Sequence, residues 1–293
     1  MNKYLGSLVT GIVTDENDKH FFVQKDGLSY RLDRDQAGSL KMGDSIRGFV
    51  YENSHKQLCM TLDLPDVRQD RYGWGEVTSV KQDLGVFLAI GLPDKDMVLS
   101  LDDLPQEKHL WPKKGSKLFV RLEVDKKDRV WAKLADDQVF QQISKRLSPH
   151  TSTWNNKTVK ARVYRCKFVG TYLLTEDYYQ AFIHESERYE EPALGEEVTA
   201  RVIGVGQHGN LNLSLKPQAY QVINEDAQMI QAILERQPDH FLPYNDKSRP
   251  EDIRKFFNLS KAQFKRALGH LMKEGILRQD QAGIYLVNKG DED

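Results

Sequence analysis

Only two cysteines occur in 293 residues, Cys59 and Cys166, and no metal-ligand spacing surrounds either. That excludes a disulfide framework and a cysteine-based zinc site. Each lies in a strand-like stretch, which predicts a small buried side chain. Long hydrophobic runs are missing as well: the longest nearly unbroken apolar stretch, Gly85 to Leu92, is too short to span a bilayer. The opening residues, MNKYLGSLVTGIVT, hold one lysine but no apolar signal-peptide core, because Gly6, Ser7, Thr10 and Gly11 interrupt it. A cytoplasmic protein without membrane contact is expected. Excess charge of one sign is absent too, since 42 Lys and Arg face 43 Asp and Glu for a formal net charge of -1. Charge therefore neither requires nor forbids a nucleic-acid partner and has to be read patch by patch. Asp94, Asp96, Asp102 and Asp103 are paired carboxylates, but no third ligand or histidine follows at metal spacing. No catalytic residue, no metal and no cofactor is expected.

What the sequence does contain is a threefold repeat. A glycine, a hydrophilic turn and an alternating strand recur as Gly43-Asp44-Ser45-Ile46, Gly115-Ser116-Lys117-Leu118 and Gly195-Glu196-Glu197-Val198. Another alternating strand begins 15, 15 and 16 residues later (43 to 58, 115 to 130, 195 to 211): LCMTL, VWAKL and LNLSL. A first strand precedes each glycine by 32, 40 and 34 residues (11 to 43, 75 to 115, 161 to 195), containing GIV, GEV and ARV. HFFVQ, GVFLAI and GTYLLT supply further strands between these landmarks. The extra length of the second unit falls in LPQEKHLWPKKG, a loop where insertion is tolerated. Period-two alternation with five short strands per unit predicts small closed Greek-key barrels of the OB type. Gly204, Gly206 and Gly209 satisfy G-x-G-x-x-G, but a strand follows instead of a helix, so they read as a hairpin turn and not a dinucleotide site.

Past Pro217 the pattern changes. Residues 222–236 place Ile223, Ala227, Ile230 and Ile233/Leu234 on one helical face. Pro250 opens a helix through Phe257, Ser260 caps a helix that Gly275 ends, and ILRQDQAGIYLVN offers two short strands. Three helices and a hairpin make a winged helix-turn-helix. The expected organisation is a mainly β, multidomain chain strung as beads: a divergent barrel at 1–66, a second at 67–135, a helical linker at 136–152, a third barrel at 153–218, a winged helix at 219–289 and an acidic tail at 290–293.

The third unit resembles the RNA-binding S1-type OB domain, whose pattern runs F-G-x-F-V, V-H-x-S-E, G-D-x-V and D-x-x-x-R. Gly170 and Tyr172 match the glycine and second aromatic, and Ile183-His184-Glu185-Ser186-Glu187 matches the histidine turn. Val169 replaces the first aromatic, with Phe168 beside it able to supply a ring, and Gly206 and Asn210 replace the acid and arginine. In the second unit Phe87, Asp125 and Arg129 match, while Leu84 and Ser100 depart. In the first, Phe22 matches but Asn53 and Gln57 replace the acid and arginine. Three such units ahead of a winged helix resemble the conserved virulence factor B family of Gram-positive bacteria, which implies RNA-binding regulation and no established catalytic activity; a non-enzymatic protein is expected.

The residues point the same way. From Lys157 to Lys167 the third unit has five basic residues and no acid, and alternation sets Lys160, Arg162 and Tyr164 on one strand face, with Ala161 and Val163 on the core side. Candidate RNA-binding residues are thus Phe87, Asp125, Arg129, Lys160, Arg162, Tyr164, Phe168, Tyr172 and His184, facing single-stranded RNA. In the winged domain Phe264, Ala267, Leu268 and Leu271 share one helical arc. Lys261, Lys265, Arg266 and Lys273 spread over the other side as a second candidate nucleic-acid surface, through which DNA is a possible partner. Two other functions stay open at this point: a DNA-binding transcription regulator led by the winged helix, and a protein-interaction adaptor on the ribosome or RNA-processing machinery. Oligomeric state is not readable.

Overall fold

The computed structural model describes residues 2–149, 151–217 and 219–287; the side chain of Ile223 and the tail at 290–293 lie outside the described residues. Alternation builds the strands. On β1 (Ser7–Glu16), Val9, Gly11 and Val13 are buried while Thr10, Ile12 and Thr14 face out. With β2 (His20–Lys25), β3 (Leu28–Asp33), a single helical turn α1 (Arg34–Ala37), β4 (Ser45–Glu52) and β5 (Leu58–Thr61), it closes a barrel in the order β1-β2-β3-β5-β4. The second barrel uses β6 (Gly73–Lys81), β7 (Gly85–Ala89), β8 (Met97–Ser100), β9 (Lys117–Val124) and β10 (Val130–Leu134) in the same circular order. After helix α2 (Asp137–Ile143), the third uses β11 (Thr158–Lys167), β12 (Gly170–Thr175), β13 (Gln180–His184), β14 (Glu197–Val205) and β15 (Leu211–Ser214). In each barrel the third and fifth strands run parallel and the other pairings are antiparallel, which is the expected OB topology. The glycines at 204, 206 and 209 do form the β14–β15 hairpin, with Gly206 N–H donating to Asn210 O at 2.8 Å.

The barrels are not beads. Phe49 and Tyr51 point out of the first barrel and complete their burial in the core of the second, which also receives Leu194 from the third. Tyr51 donates its hydroxyl proton to Asp94 across that contact at 3.0 Å. A second shared cluster joins Phe119 of β9, Phe140 of α2 and Leu174 of β12, with Tyr72, Trp74 and Tyr164 packed against it. Backbone bonds cross as well, from Leu194 N–H to Leu110 O (2.9 Å) and from Lys117 N–H to Gly195 O (3.2 Å). Residues 1–215 form one compact unit. Apolar residues left on the outer faces of β4 and β9 have to leave water, and a neighbouring barrel is what covers them.

The two cysteines are half-buried rather than fully so. Burial pushes the Cys59 thiol up to about 11 and the Cys166 thiol up to about 12.

The second unit begins at Lys216. Its helices are α3 (Ala219–Arg236), α4 (Pro250–Phe257) and α5 (Lys261–Lys273). Pro250 opens α4 and Asn258 closes it in the left-handed conformation (φ 56°); Ser260 and Gln263 cap α5 reciprocally. Ala227, Ile230 and Leu234 of α3 are buried with Phe264, Ala267, Leu268 and Leu271 of α5. The wing has three strands instead of two: β16 (Phe241–Leu242) pairs with β18 (Ile284–Leu286), which pairs with β17 (Leu277–Gln279). Two residues are too few to show alternation, which is why β16 leaves no trace in the sequence pattern.

One motif glycine has a clear physical cause. Gly170 opens β12 at φ +147°, opposite His184, and a Cβ there would sit 2.4 Å from Ile183 O and 2.6 Å from the Phe182 ring. Gly85 holds the corresponding place opposite Ser100 in the second barrel, at φ +135°. Gly170→Ala is expected to cost roughly 1–3 kcal/mol in backbone strain, with Phe182 displaced in addition. Urea denaturation would measure it, and a variant as stable as the parent would show that the strand can start without glycine.

Candidate nucleic-acid interface

Strand register aligns the outward positions of the three barrels. Each first strand carries a bulge at the same place, between Val13 and Asp15, Val77 and Ser79, and Val163 and Arg165. The bulged residue is therefore Thr14, Thr78 or Tyr164, and a bulge re-aims its side chain. Beside it on the second strand stand Phe22, Phe87 and Tyr172. Opposite these, on the third strand, are Arg31, Val98 and Phe182, and next across, on the fifth, Cys59, Trp131 and Asn212. Rings thus number one in the first barrel, two in the second and three in the third, where His184 adds a fourth.

In the third barrel those rings form a row. Centroids lie 6.3 Å apart from Tyr164 to Tyr172, 5.1 Å from Tyr172 to Phe182 and 6.4 Å from Phe182 to His184. Tyr164, Tyr172 and Phe182 are half-buried, so the core supports one side of each while part of the ring stays open. Phe140 of α2 stacks on Tyr164 at 3.8 Å and 17°, extending the row on the covered side, and burial pushes the Tyr164 hydroxyl pKa up. Lys167 Nζ lies 5.0 Å over the Tyr172 ring. Asp137 of α2 accepts a hydrogen bond from Lys167 Nζ at 2.9 Å and forms an ion pair with Arg165 at 2.9 Å, so these cations are partly neutralised from within.

His184 has a structural role. Its Nδ1 accepts the Ser186 backbone N–H at 3.2 Å and lies 2.8 Å from the Ser186 hydroxyl, capping the 3-10 turn Glu185–Glu187. An accepting Nδ1 assigns the neutral ring's proton to Nε2, which then serves as a donor. Asp33 and Ser100 cap the corresponding turns in the other barrels, accepting from Asp35 N–H and Asp102 N–H. Any acceptor side chain serves the fold at this position; only His184 brings a ring.

Asp125 and Arg129 close a turn. Asp125 accepts from the backbone N–H groups of Lys127 (2.8 Å) and Arg129 (3.0 Å), from Arg129 Nε (2.7 Å) and from Trp131 Nε1 (3.2 Å). Arg129 above all, then the backbone donors, hold its carboxyl well below the usual range. Asn53 and Gln57 make the corresponding turn in the first barrel, and Gly206 and Asn210 in the third, each with the same backbone bond, and with positive φ at Lys56, Asp128 and Gly209. The D-x-x-x-R spacing therefore marks a hairpin whose closure tolerates other residues. Arg129 still has its guanidinium over the Trp131 ring at 5.2 Å.

The strand face proposed for β11 is split by the barrel contact. Ala161 and Val163 are buried and Lys160 is exposed, as alternation requires. Arg162, however, pairs with Glu197, donates to Gly195 O (3.1 Å) and lies 5.7 Å over Trp74 of the second barrel. It is committed to the junction. Phe168 sits 94% exposed in the β11–β12 turn, outside the row of rings. Phe87 is half-buried with Lys81 Nζ 5.0 Å over it.

In the winged unit Lys265, Arg266 and Lys273 are exposed and Lys261 is half-buried. Lys265 lies 3.6 Å from Asp246, and Arg266 offsets the upward push of burial on the Asp226 carboxyl. Lys273 stands in the last turn of α5, where a cation complements the helix dipole. Two of these four cations thus answer acids of their own domain.

Four family profiles match the chain in sequence: S1 domain over 5–63, CvfB first S1-like domain over 72–133, virulence regulatory factor CvfB, second domain, over 140–217, and CvfB-like winged helix domain over 228–286. Conserved virulence factor B of Staphylococcus haemolyticus is 38% identical over 252 residues, 86% of this chain and 82% of that protein. The chain belongs to the conserved virulence factor B family. An uncharacterised Bacillus subtilis relative, YitL, is 40% identical over 242 residues, covering 83% of this chain and 80% of its own. A solved Streptococcus pneumoniae structure, described as a multidomain protein with nucleic acid binding domains, is 47% identical with a TM-score of 0.71, covering 98% of this chain and 100% of that one.

The conserved virulence factor B second-domain match begins at residue 140 and so takes in Phe140 and Gln141 of α2 together with the third barrel. Three residues of the candidate interface were missed by sequence reasoning. Phe182 was detectable, because Ala181 and Ile183 face the core and alternation turns Phe182 outward. Trp131 was detectable on the same ground, with Ala132 buried beside it. Arg146, exposed at the edge of the third barrel's cleft, has no periodic pattern to betray it. The paired carboxylates are occupied by the fold: Asp94 with Tyr51, Asp96 with Thr78 (2.7 Å) and Asp103 with Lys133.

Proposed function

We propose that this protein is a non-enzymatic regulator that binds single-stranded RNA, chiefly through the third barrel. The observation that carries the reading is the row Tyr164–Tyr172–Phe182–His184. Ring spacings of 5.1–6.4 Å on a barrel face offer successive unstacked bases a π-surface each. A duplex hides its base faces, so such a row favours single strands. Lys167 beside the row, exposed Lys160 farther along β11, and Arg129 with Trp131 on the second barrel supply cations for the phosphates. The pneumococcal relative's described nucleic acid binding domains agree with this reading, and the family's name agrees with a regulatory role. Because the acids that might have acted in chemistry are engaged in fold contacts, the protein is taken to act by binding. The test is a titration of the full chain against single-stranded RNA, single-stranded DNA and duplex DNA of one sequence at one salt concentration. RNA is expected to bind tightest; duplex DNA binding equally or more tightly would transfer the function to α5.

A further inference from the structure

We propose that the cleft between α2 and the third barrel is a base-discriminating pocket that holds one unpaired nucleobase of a single strand and reads its edge. The inference rests on the single-strand reading above and deepens it. The cleft has a volume of about 480 Å3, with Tyr164, Tyr172 and Phe182 as its aromatic surface and His208 also in its wall. Its walls carry three primary carboxamides from three separate elements: Gln141 on α2, Gln180 on β13 and Asn210 in the β14–β15 turn.

A platform that accepts every base needs only rings and cations. Carboxamides do something different. Each presents a donor and an acceptor side by side, the pattern that bonds a base edge and separates one base from another. Among the described residues neither the Gln141 nor the Gln180 amide has a hydrogen-bond partner within the protein, so both are free to bond a ligand. Asn210 is held in place instead: its Nδ2 donates to Asn212 Oδ1 at 3.0 Å. Gly206 makes room for that amide, since a Cβ there would lie 2.6 Å from Asn210 Oδ1. Exposed Arg146 at the same cleft provides a cation for the phosphate of the bound nucleotide. A base stacked on Tyr172 would thus meet one amide held by Asn212 and two amides open to bond its rim.

The experiment titrates the full chain and its Gln141→Ala, Gln180→Ala and Tyr172→Ala variants with eight-nucleotide oligo(A), oligo(C) and oligo(U). The parent is expected to spread the three affinities about tenfold or more, the scale of one good amide–base contact. Each glutamine variant should weaken the tightest of the three about tenfold and leave the others unchanged. Tyr172→Ala should weaken all three. Equal affinities in the parent, or glutamine variants that preserve the parent's ratios, would overturn the pocket while leaving the RNA-binding platform standing. A parent that binds none of the three would overturn the platform and the pocket together.

Discussion

Replacing Tyr172 or Phe182 with alanine is expected to weaken single-stranded RNA binding by about 1–3 kcal/mol each, roughly 5- to 150-fold. Both rings sit on the outer side of their strands and are half-buried, with Leu173 and Ile183 next to them facing the core. Their truncation should therefore leave the melting temperature near that of the parent. The rings lie only 5.1 Å apart, so the double variant should lose less than the sum of the singles. Titration and thermal melting together decide the matter. A residue of the interface loses affinity alone, whereas a residue of the core loses stability with it. If both singles bind like the parent, the row is packing and the third barrel is not the platform.

The largest effect on stability is expected at Phe140. Its ring is 2% exposed, stacks on Tyr164 at 3.8 Å and meets Phe119 of the second barrel at 5.8 Å. Phe140→Ala removes a ring shared by three elements and should cost about 3–5 kcal/mol, the usual range for a buried phenylalanine. Urea denaturation followed by tryptophan fluorescence is a suitable readout, because Trp74 belongs to the same cluster. A cost below about 1 kcal/mol would mean that α2 is a peripheral connection and that the second and third barrels hold each other without it.

Most of the fold was legible because the repeat is written in turns and alternation. The glycines at 43, 115 and 195 each precede the fourth strand of a barrel, and the five-strand count follows from spacing. What escaped was the contact between barrels, although a trace of it was present. A strand with one wet face shows alternate burial, yet Phe49-Val50-Tyr51 and Leu118-Phe119-Val120 are buried consecutively. Such runs belong to strands covered on both faces, and no rule of local sequence says what the second cover is. The site was legible where a single strand decides the direction of a side chain, as at Tyr172. It was not legible for Arg162, which alternation correctly turns outward but whose neighbours Trp74 and Glu197 come from distant positions. Asp125 and Arg129 were recognised by spacing, but spacing does not tell a hairpin closed by an ion pair from a pair kept for a ligand.

The sharing of cores between barrels sets an order in time as the chain leaves the ribosome. The first barrel has its last strand once Thr61 is made, but the barrel that covers Phe49 and Tyr51 is not complete until Leu134, 73 residues later (134 minus 61). At about 5–20 residues per second that interval lasts roughly 4–15 s. Through it, a closed but unfinished module carries two aromatic side chains in water until its neighbour arrives to cover them.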